Sequence, residues 1–176
     1  MRKIMWLIVL ALLLAGCELG SDMTNNPTSK VEGYLDGYKR LDQSVLTDLD
    51  NMIENNRYTI EQRTTYKELM KKHYRDLTYE IKDETVNGNR ATVEVEIEVT
   101  DYNKALSGHT NPDDYLDDEG NYSESKLYDY QLDLMKKSED RVKYTIIFYL
   151  TKEKDKWTLD ELSETTKEKI HGIYIY

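Results

Sequence analysis

The sequence predicts an α+β domain in which helices pack on a curved antiparallel sheet. Three observations carry that prediction. From Val31 to Met52 apolar residues recur every three or four positions, at Val31, Leu35, Tyr38, Leu41, Val45, Leu49 and Met52, which is one face of an amphipathic helix. Two later stretches alternate strictly, Val93-Val95-Ile97-Val99 and Val142-Tyr144-Ile146-Phe148-Leu150, the period of a strand with one buried face. Asn87-Gly88 lies just before the first of them, a turn dipeptide between two strand-like runs.

The elements follow in order. Tyr34, Leu46 and Ile53 widen the first stripe, so one helix is expected over about 28–54, ended by Asn55-Asn56. Thr59 with Gln62 three residues later has the form of a capping box, and a second helix should run to about Tyr74, burying Tyr66, Leu69 and Met70. Leu77–Val86 and Ala91–Tyr102 read as a hairpin. A two-residue Asn87-Gly88 turn would set Tyr79 against Glu96 and mix the faces. A three-residue loop Asn87-Gly88-Asn89, or an adjacent bulge, sets Ile81 opposite Val95, Tyr79 opposite Ile97, Leu77 opposite Val99 and Lys82 opposite Glu94. Glu94, Glu96 and Glu98 then face solvent.

Residues 103–122 are polar and read as a long insertion. Ser123 caps a third helix with Glu124 in its first turn, burying Leu127, Gln131, Leu134 and Met135. Arg141–Thr151 is a strand with Ile147 and Tyr149 on its second face, which makes it central. Glu153–Asp155 turns the chain and brings Trp157 and Leu159 opposite Leu150 and Phe148. Ser163 caps a last short helix ending near Gly172.

A helix lying in the concave face of such a sheet makes a cone-like domain. The amphipathic "VEGYLDGYKRLDQSVLTDLDNMI", followed by "YKELMKKHYRDLTYEIKDETVNGNRATVEVEIEV" and "VKYTIIFYLTKEKDKWTLDELS", resembles the nuclear transport factor 2-like superfamily, the fold shared with ketosteroid isomerase. The resemblance spans about 30–165. It implies a pocket at the wide end of a cone. The isomerases of that superfamily use a carboxylate base and a tyrosine-centred oxyanion hole, but no spacing here assigns those roles, so no catalytic residue is expected.

The first twenty residues have a different character. Arg2 and Lys3 precede twelve apolar residues, Ile4–Ala15. A bilayer span needs about 20; twelve is the length of a secretory h-region. Leu14-Ala15-Gly16-Cys17 resembles the bacterial lipobox, which implies that residues 1–16 are a signal peptide and that Cys17 carries a diacylglyceryl thioether. Two acyl chains give stable anchoring where one does not. Residues 17–29, polar with Gly20 and Pro27, read as a lipidated cysteine and flexible tether, and 30–176 as a single domain. The partner implied is membrane lipid, on the extracytoplasmic face of the cell membrane. A low cysteine count with many Lys, Asn, Ile and Tyr suits a low-GC Gram-positive source.

Charge narrows the partners. The chain has 24 basic and 34 acidic residues; losing Arg2 and Lys3 brings the net charge from −10 to near −12. That argues against nucleic acid, which needs a basic face. With Cys17 modified no thiol is left for a disulfide or a thiolate metal site. His73, His109 and His171 lack metal-ligand spacing, and His73 and His171 read as cations at helix C-termini. The run "NPDDYLDDEGNY" fails as a calcium loop, since Tyr115 and Lys126 occupy the first and twelfth positions. No nucleophile elbow, zinc-protease, P-loop or dinucleotide motif occurs, so neither cofactor nor metal is expected. Fifteen tyrosines against one phenylalanine is the unusual feature, because tyrosine joins an apolar body to a hydroxyl that needs a partner.

These readings converge on a membrane-anchored binding module for a small molecule, peptide or envelope protein. Tyr34, Tyr38, Tyr144 and Tyr149 are the candidate pocket residues. A pocket enzyme of the ketosteroid isomerase-like type and a structural partner in an envelope assembly are the alternatives. Replacing Cys17 by Ala should abolish metabolic palmitate labelling and block signal-peptide processing. A labelled, normally processed variant would show that Cys17 is not the anchor.

Overall fold

The computed structural model describes residues 25–54, 56–107 and 112–176. The expected signal peptide, Cys17, most of the tether and His109 lie outside the described residues. The architecture is α+β: helices on an open, four-stranded antiparallel sheet.

The helix expected over 28–54 is two helices, α1 (Pro27–Arg40) and α2 (Gln43–Glu54). Leu41 between them adopts the left-handed conformation, φ 58° and ψ 50°. The Leu41 N–H donates to Tyr38 O at 3.0 Å and the Asp42 N–H to Gly37 O at 2.9 Å, closing the last turn of α1 as a left-handed C-cap does. The Asp42 carboxylate turns back beside Gly37 and pairs with Arg40 at 2.9 Å. Both helices bury an apolar stripe, Val31, Leu35 and Tyr38 on α1 and Val45, Leu49 and Ile53 on α2, so the period runs on through the break. α1 also begins earlier than the tether reading allowed. Pro27 is at its start, Asn26 accepts the Ser29 N–H at 2.7 Å, and Asn25 donates to Asp155 O at 2.7 Å.

α3 (Ile60–Arg75) starts with the expected capping box. The Gln62 side chain accepts the Thr59 N–H at 2.9 Å while Thr59 Oγ1 accepts the Gln62 N–H at 3.2 Å. Gln62 is buried and spends its amide on the later helix α5 (Glu124–Lys137), donating to Ser125 O at 2.9 Å and Asp129 Oδ1 at 2.8 Å. α3 buries Tyr66 and Met70, with Leu69 at the margin, and adds His73 and Tyr74. α5, capped by Ser123, buries Leu132 and Met135, with Leu127, Gln131 and Leu134 half-buried.

The sheet runs β1 (Thr78–Asn87), β2 (Arg90–Thr100), β3 (Arg141–Glu153), β4 (Lys156–Leu159), each antiparallel to the next. Tyr79 faces Ile97 and Ile81 faces Val95, as expected. Of the two devices expected to set this register, the structure uses the bulge, placed farther from the turn. The turn is only Gly88-Asn89, with Asn87 facing Arg90, and the extra residue is a bulge at Lys82. Asp83, not Lys82, therefore faces Glu94, and Lys82 reaches Glu80 and Glu96 instead. β3 is central. Its return turn is Lys154-Asp155, both with positive φ of 47° and 62°. Leu159 consequently faces Leu150 and Trp157 faces Lys152, two residues away from the expected pairing but with the same faces.

The stretch expected to be one polar insertion carries α4 (Tyr102–Ser107), a 3-10 turn (Pro112–Tyr115) and a bridge between Leu116 and Tyr122. α6 (Glu164–His171) is capped by Ser163 and ended by Gly172. The core lies between the inner faces of β2 and β3 and the helices: Val93, Val95, Ile97, Ile146, Phe148 and Leu150 meet Val31, Leu35, Leu49 and Met70.

Gly172 has φ 72°, and a Cβ there would be driven into the Thr100 carbonyl oxygen and to 2.9 Å from His73 Cε1. Gly172→Ala should destabilise the fold by about 2–4 kcal/mol, from left-handed strain plus backbone displacement. Gly33 lies exposed on α1 with nothing near its Cβ position, so Gly33→Ala should stabilise by up to about 1 kcal/mol. Urea unfolding of the two variants checks both signs.

Candidate functional site

Tyr34 and Tyr38 stand one turn apart on α1 and so share a face. Their hydroxyls are 3.1 Å apart, and their rings meet edge to face, 5.4 Å between centroids at 72°. Phe148 of β3 stands against Tyr34 at 6.1 Å. Tyr74 of α3 stands against Tyr38 at 4.9 Å and 78°. The Tyr74 hydroxyl lies 2.9 Å from His171 Nδ1 on α6. Because the chain changes direction at Leu41, Val45, Asp48, Asn51 and Met52 complete the wall, and Lys167 of α6 closes the rim. The result is a cavity of about 270 Å³ between four helices.

Its interior is polar but uncharged. Burial pushes the hydroxyls of Tyr34, Tyr38 and Tyr74 above the usual phenol range, with a further push from the Asp48 carboxylate on each. All three stay protonated at neutral pH. Burial, aided by the nearby His73 and Lys167, pulls His171 down to about 4, so its ring is neutral. A neutral imidazole has one N–H. Whichever way the Tyr74–His171 bond runs, Nε2 is left with a donor or an acceptor function and has no partner among the described residues. In the Tyr34–Tyr38 pair one hydroxyl hydrogen is likewise unspent. At the rim Asp48 and Asn51 are exposed and have no hydrogen-bond or ion-pair partner among the described residues. Lys167 is engaged by Glu164 at 2.7 Å.

Of the four tyrosines expected to line a pocket, Tyr34 and Tyr38 do. Tyr144 and Tyr149 do not line this cavity; Tyr149 borders a separate depression of about 260 Å³ with Thr85, Asn87, Ala91 and Asp160. Tyr144 shares the inner face of β3 but sits four residues from Phe148, about 13 Å along the strand. It packs beneath Tyr174 and Tyr176, and its buried hydroxyl has no hydrogen-bond partner among the described residues. Tyr149 points to the opposite face and is 57% exposed. Sequence reasoning missed Tyr74, His171, Asp48, Asn51 and Lys167. Tyr74 continues the buried Tyr66-Met70 spacing on α3 and was within reach of periodicity; the others owe their place to tertiary packing alone.

The two helix-end histidines are not surface cations. His73 is buried, donates from Nε2 to Ile170 O at 2.8 Å and stacks on Tyr102 at 5.1 Å. Its Nδ1 has no hydrogen-bond partner among the described residues, and burial lowers its pKa to about 4. In the acidic loop, Asp117 Oδ1 accepts the N–H groups of Glu119 and Asn121 at 3.0 and 2.8 Å, a turn-forming role. Among the described residues no group of three or more His, Cys, Asp or Glu side chains is placed to hold a metal ion.

Two histidines held near 4, against about 6.5 when unfolded, link stability to pH. Above about 6.5 neither state binds these protons. As the pH falls through 6.5 the unfolded chain takes them up and the folded chain refuses them, so stability drops until about pH 4. The melting temperature should fall steadily between pH 7 and pH 5. His171→Gln should reduce that slope by about one proton. A flat profile in the parent protein would mean that the imidazoles are not held neutral.

The chain matches no protein-family model, no curated protein and no solved structure.

Proposed function

We propose that this chain is a lipid-anchored extracytoplasmic lipoprotein whose four-helix pocket binds a small molecule. The observation that carries the binding half is the cavity itself: Tyr34, Tyr38, Tyr74 and His171 converge on it with unspent hydrogen-bonding capacity. Small-molecule sites have this character, apolar and aromatic walls with a few convergent polar groups. At about 270 Å³ the space is below the usual 300–1,000 Å³ range, which favours a compact metabolite over a peptide. The anchoring half rests on the Leu14-Ala15-Gly16-Cys17 motif after a short apolar run. The likeness to the nuclear transport factor 2-like superfamily belongs to the same reading, supported by a helical layer laid on one face of an antiparallel sheet.

Two observations weigh on the alternatives. An isomerase-like reaction calls for a buried carboxylate beside the tyrosine hydroxyls. The buried carboxylate among the described residues is Asp101, and it is spent elsewhere, accepting the Lys104 N–H at 2.9 Å and the Tyr176 hydroxyl at 2.8 Å. An assembly role would use the outer face of the sheet, where Ile147 and Tyr149 are exposed. Two apolar side chains on strands otherwise bearing Thr92, Glu94 and Thr145 make a small patch.

A thermal-shift screen of metabolites tests the pocket. A ligand at 100 times its Kd should stabilise the protein by about 2.7 kcal/mol. Asn51→Trp, a rim substitution that fills the cavity, should erase the shift. A screen in which no compound raises the melting temperature would remove the binding reading.

A further inference from the structure

We propose that a second cavity, bounded by α3, α4, α5 and the start of β3, binds a neutral polyhydroxylated molecule of the monosaccharide or cyclitol type. It has about 260 Å³ and shares no lining residue with the four-helix pocket, so the proposal goes beyond the reading above. The starting point is the ring of His73, which borders this cavity and is 1% exposed. Its Nε2 lies 2.8 Å from the Ile170 carbonyl oxygen. A carbonyl only accepts, so Nε2 carries the hydrogen and Nδ1 of the neutral ring presents a lone pair. Nothing among the described residues donates to it. A buried acceptor left unpaired is costly, and a hydroxyl brought by a ligand would satisfy it.

The rest of the lining says what else the ligand carries. The side chains of Lys72 and Lys136 have no hydrogen-bond or ion-pair partner among the described residues, and neither do the carboxylates of Asp76 and Glu139. Arg141, the third cation, is taken by the Glu98 carboxylate at 3.4 Å and by the Asp76 and Glu98 carbonyls, each at 2.9 Å. Two free cations are matched by two free anions, so the lining favours neither net charge. Tyr102, stacked on His73, adds a hydroxyl without a hydrogen-bond partner among the described residues.

Unmet acceptors on His73, Asp76 and Glu139 and unmet donors on Lys72, Lys136 and Tyr102 thus border one space. A hydroxyl both donates and accepts, so several on one frame serve both sets. A zwitterion gathers its donors on a single atom and cannot. Leu69 and Met135 in the same lining offer apolar surface to the C–H face of such a frame.

The test titrates D-galactose and myo-inositol into the full-length chain with its histidine nitrogens isotope-labelled. The His73 Nδ1 resonance, assigned with His109→Gln and His171→Gln, should move to lower frequency as its lone pair takes up a hydrogen bond. Cyclohexanol, with one hydroxyl, should bind at least about tenfold more weakly than the better polyol. Lys136→Met and Glu139→Gln, both exposed substitutions, should each weaken polyol binding about tenfold and leave the melting temperature without ligand unchanged. Asn51→Trp should leave the titration as it was. If it abolishes binding, the polyol sits in the four-helix pocket; this site is then overturned and the earlier reading stands. The proposal also falls if the Nδ1 resonance does not move, if both exposed variants bind normally, or if serine or inorganic phosphate binds more tightly than either polyol.

Discussion

The left-handed turn at Leu41 is the constraint on which the rest depends. Asp48 lies fourteen residues after Tyr34. On one continuous helix they would be about 21 Å apart along the axis. The turn redirects the chain, lays α2 against α3, and brings Asp48, Asn51 and Met52 onto the same cavity as Tyr34 and Tyr38. It costs a non-glycine residue in a region that L side chains seldom occupy. The packing of Leu41 against the core and the two backbone hydrogen bonds around it offset that cost.

A second fastening positions the opposite wall. α6 is joined to α3 by two buried contacts from adjacent positions, His73 to the Ile170 carbonyl and Tyr74 to His171. Gly172 then lets the chain leave α6 against the Thr100 carbonyl, where no side chain has room. His171 is thereby held with its ring 6.4 Å from that of Tyr38, and Lys167 at the edge of the cavity. The wall is neutral because burial disfavours the imidazolium.

What was legible in the sequence followed from local rules. Strict alternation named the inner faces of β2 and β3, and the Thr59–Gln62 pair marked the start of α3. The partnering of Tyr79 with Ile97 came from refusing to mix faces, yet the bulge at Lys82 was indistinguishable from a longer turn. One extra residue anywhere before the hairpin tip sets the same register. The break at Leu41 was hidden because both helices bury a stripe of the same period. The Lys154-Asp155 turn was hidden because no glycine announces its positive φ. Tyr34 and Tyr38 could be paired by their spacing of four. Tyr144 and Tyr149 could not be placed without knowing that Phe148 is the β3 residue beneath Tyr34. His171 looked like a helix-end cation because burial is a tertiary fact.

The bulge at Lys82 also bears on how many copies of this domain can crowd together. β1 is an edge strand, and an unpaired edge is a template on which another chain can extend the sheet. Here the ladder is interrupted at Lys82, and charged residues cluster around the irregularity: Glu80, Lys82, Asp83 and Glu84. Glu84 is also drawn toward the start of α1, accepting from the Thr28 N–H and hydroxyl at 3.0 and 2.6 Å. A kinked, charged edge resists strand-to-strand fusion. The residue that aligns β1 with its own partner thus guards it against foreign ones.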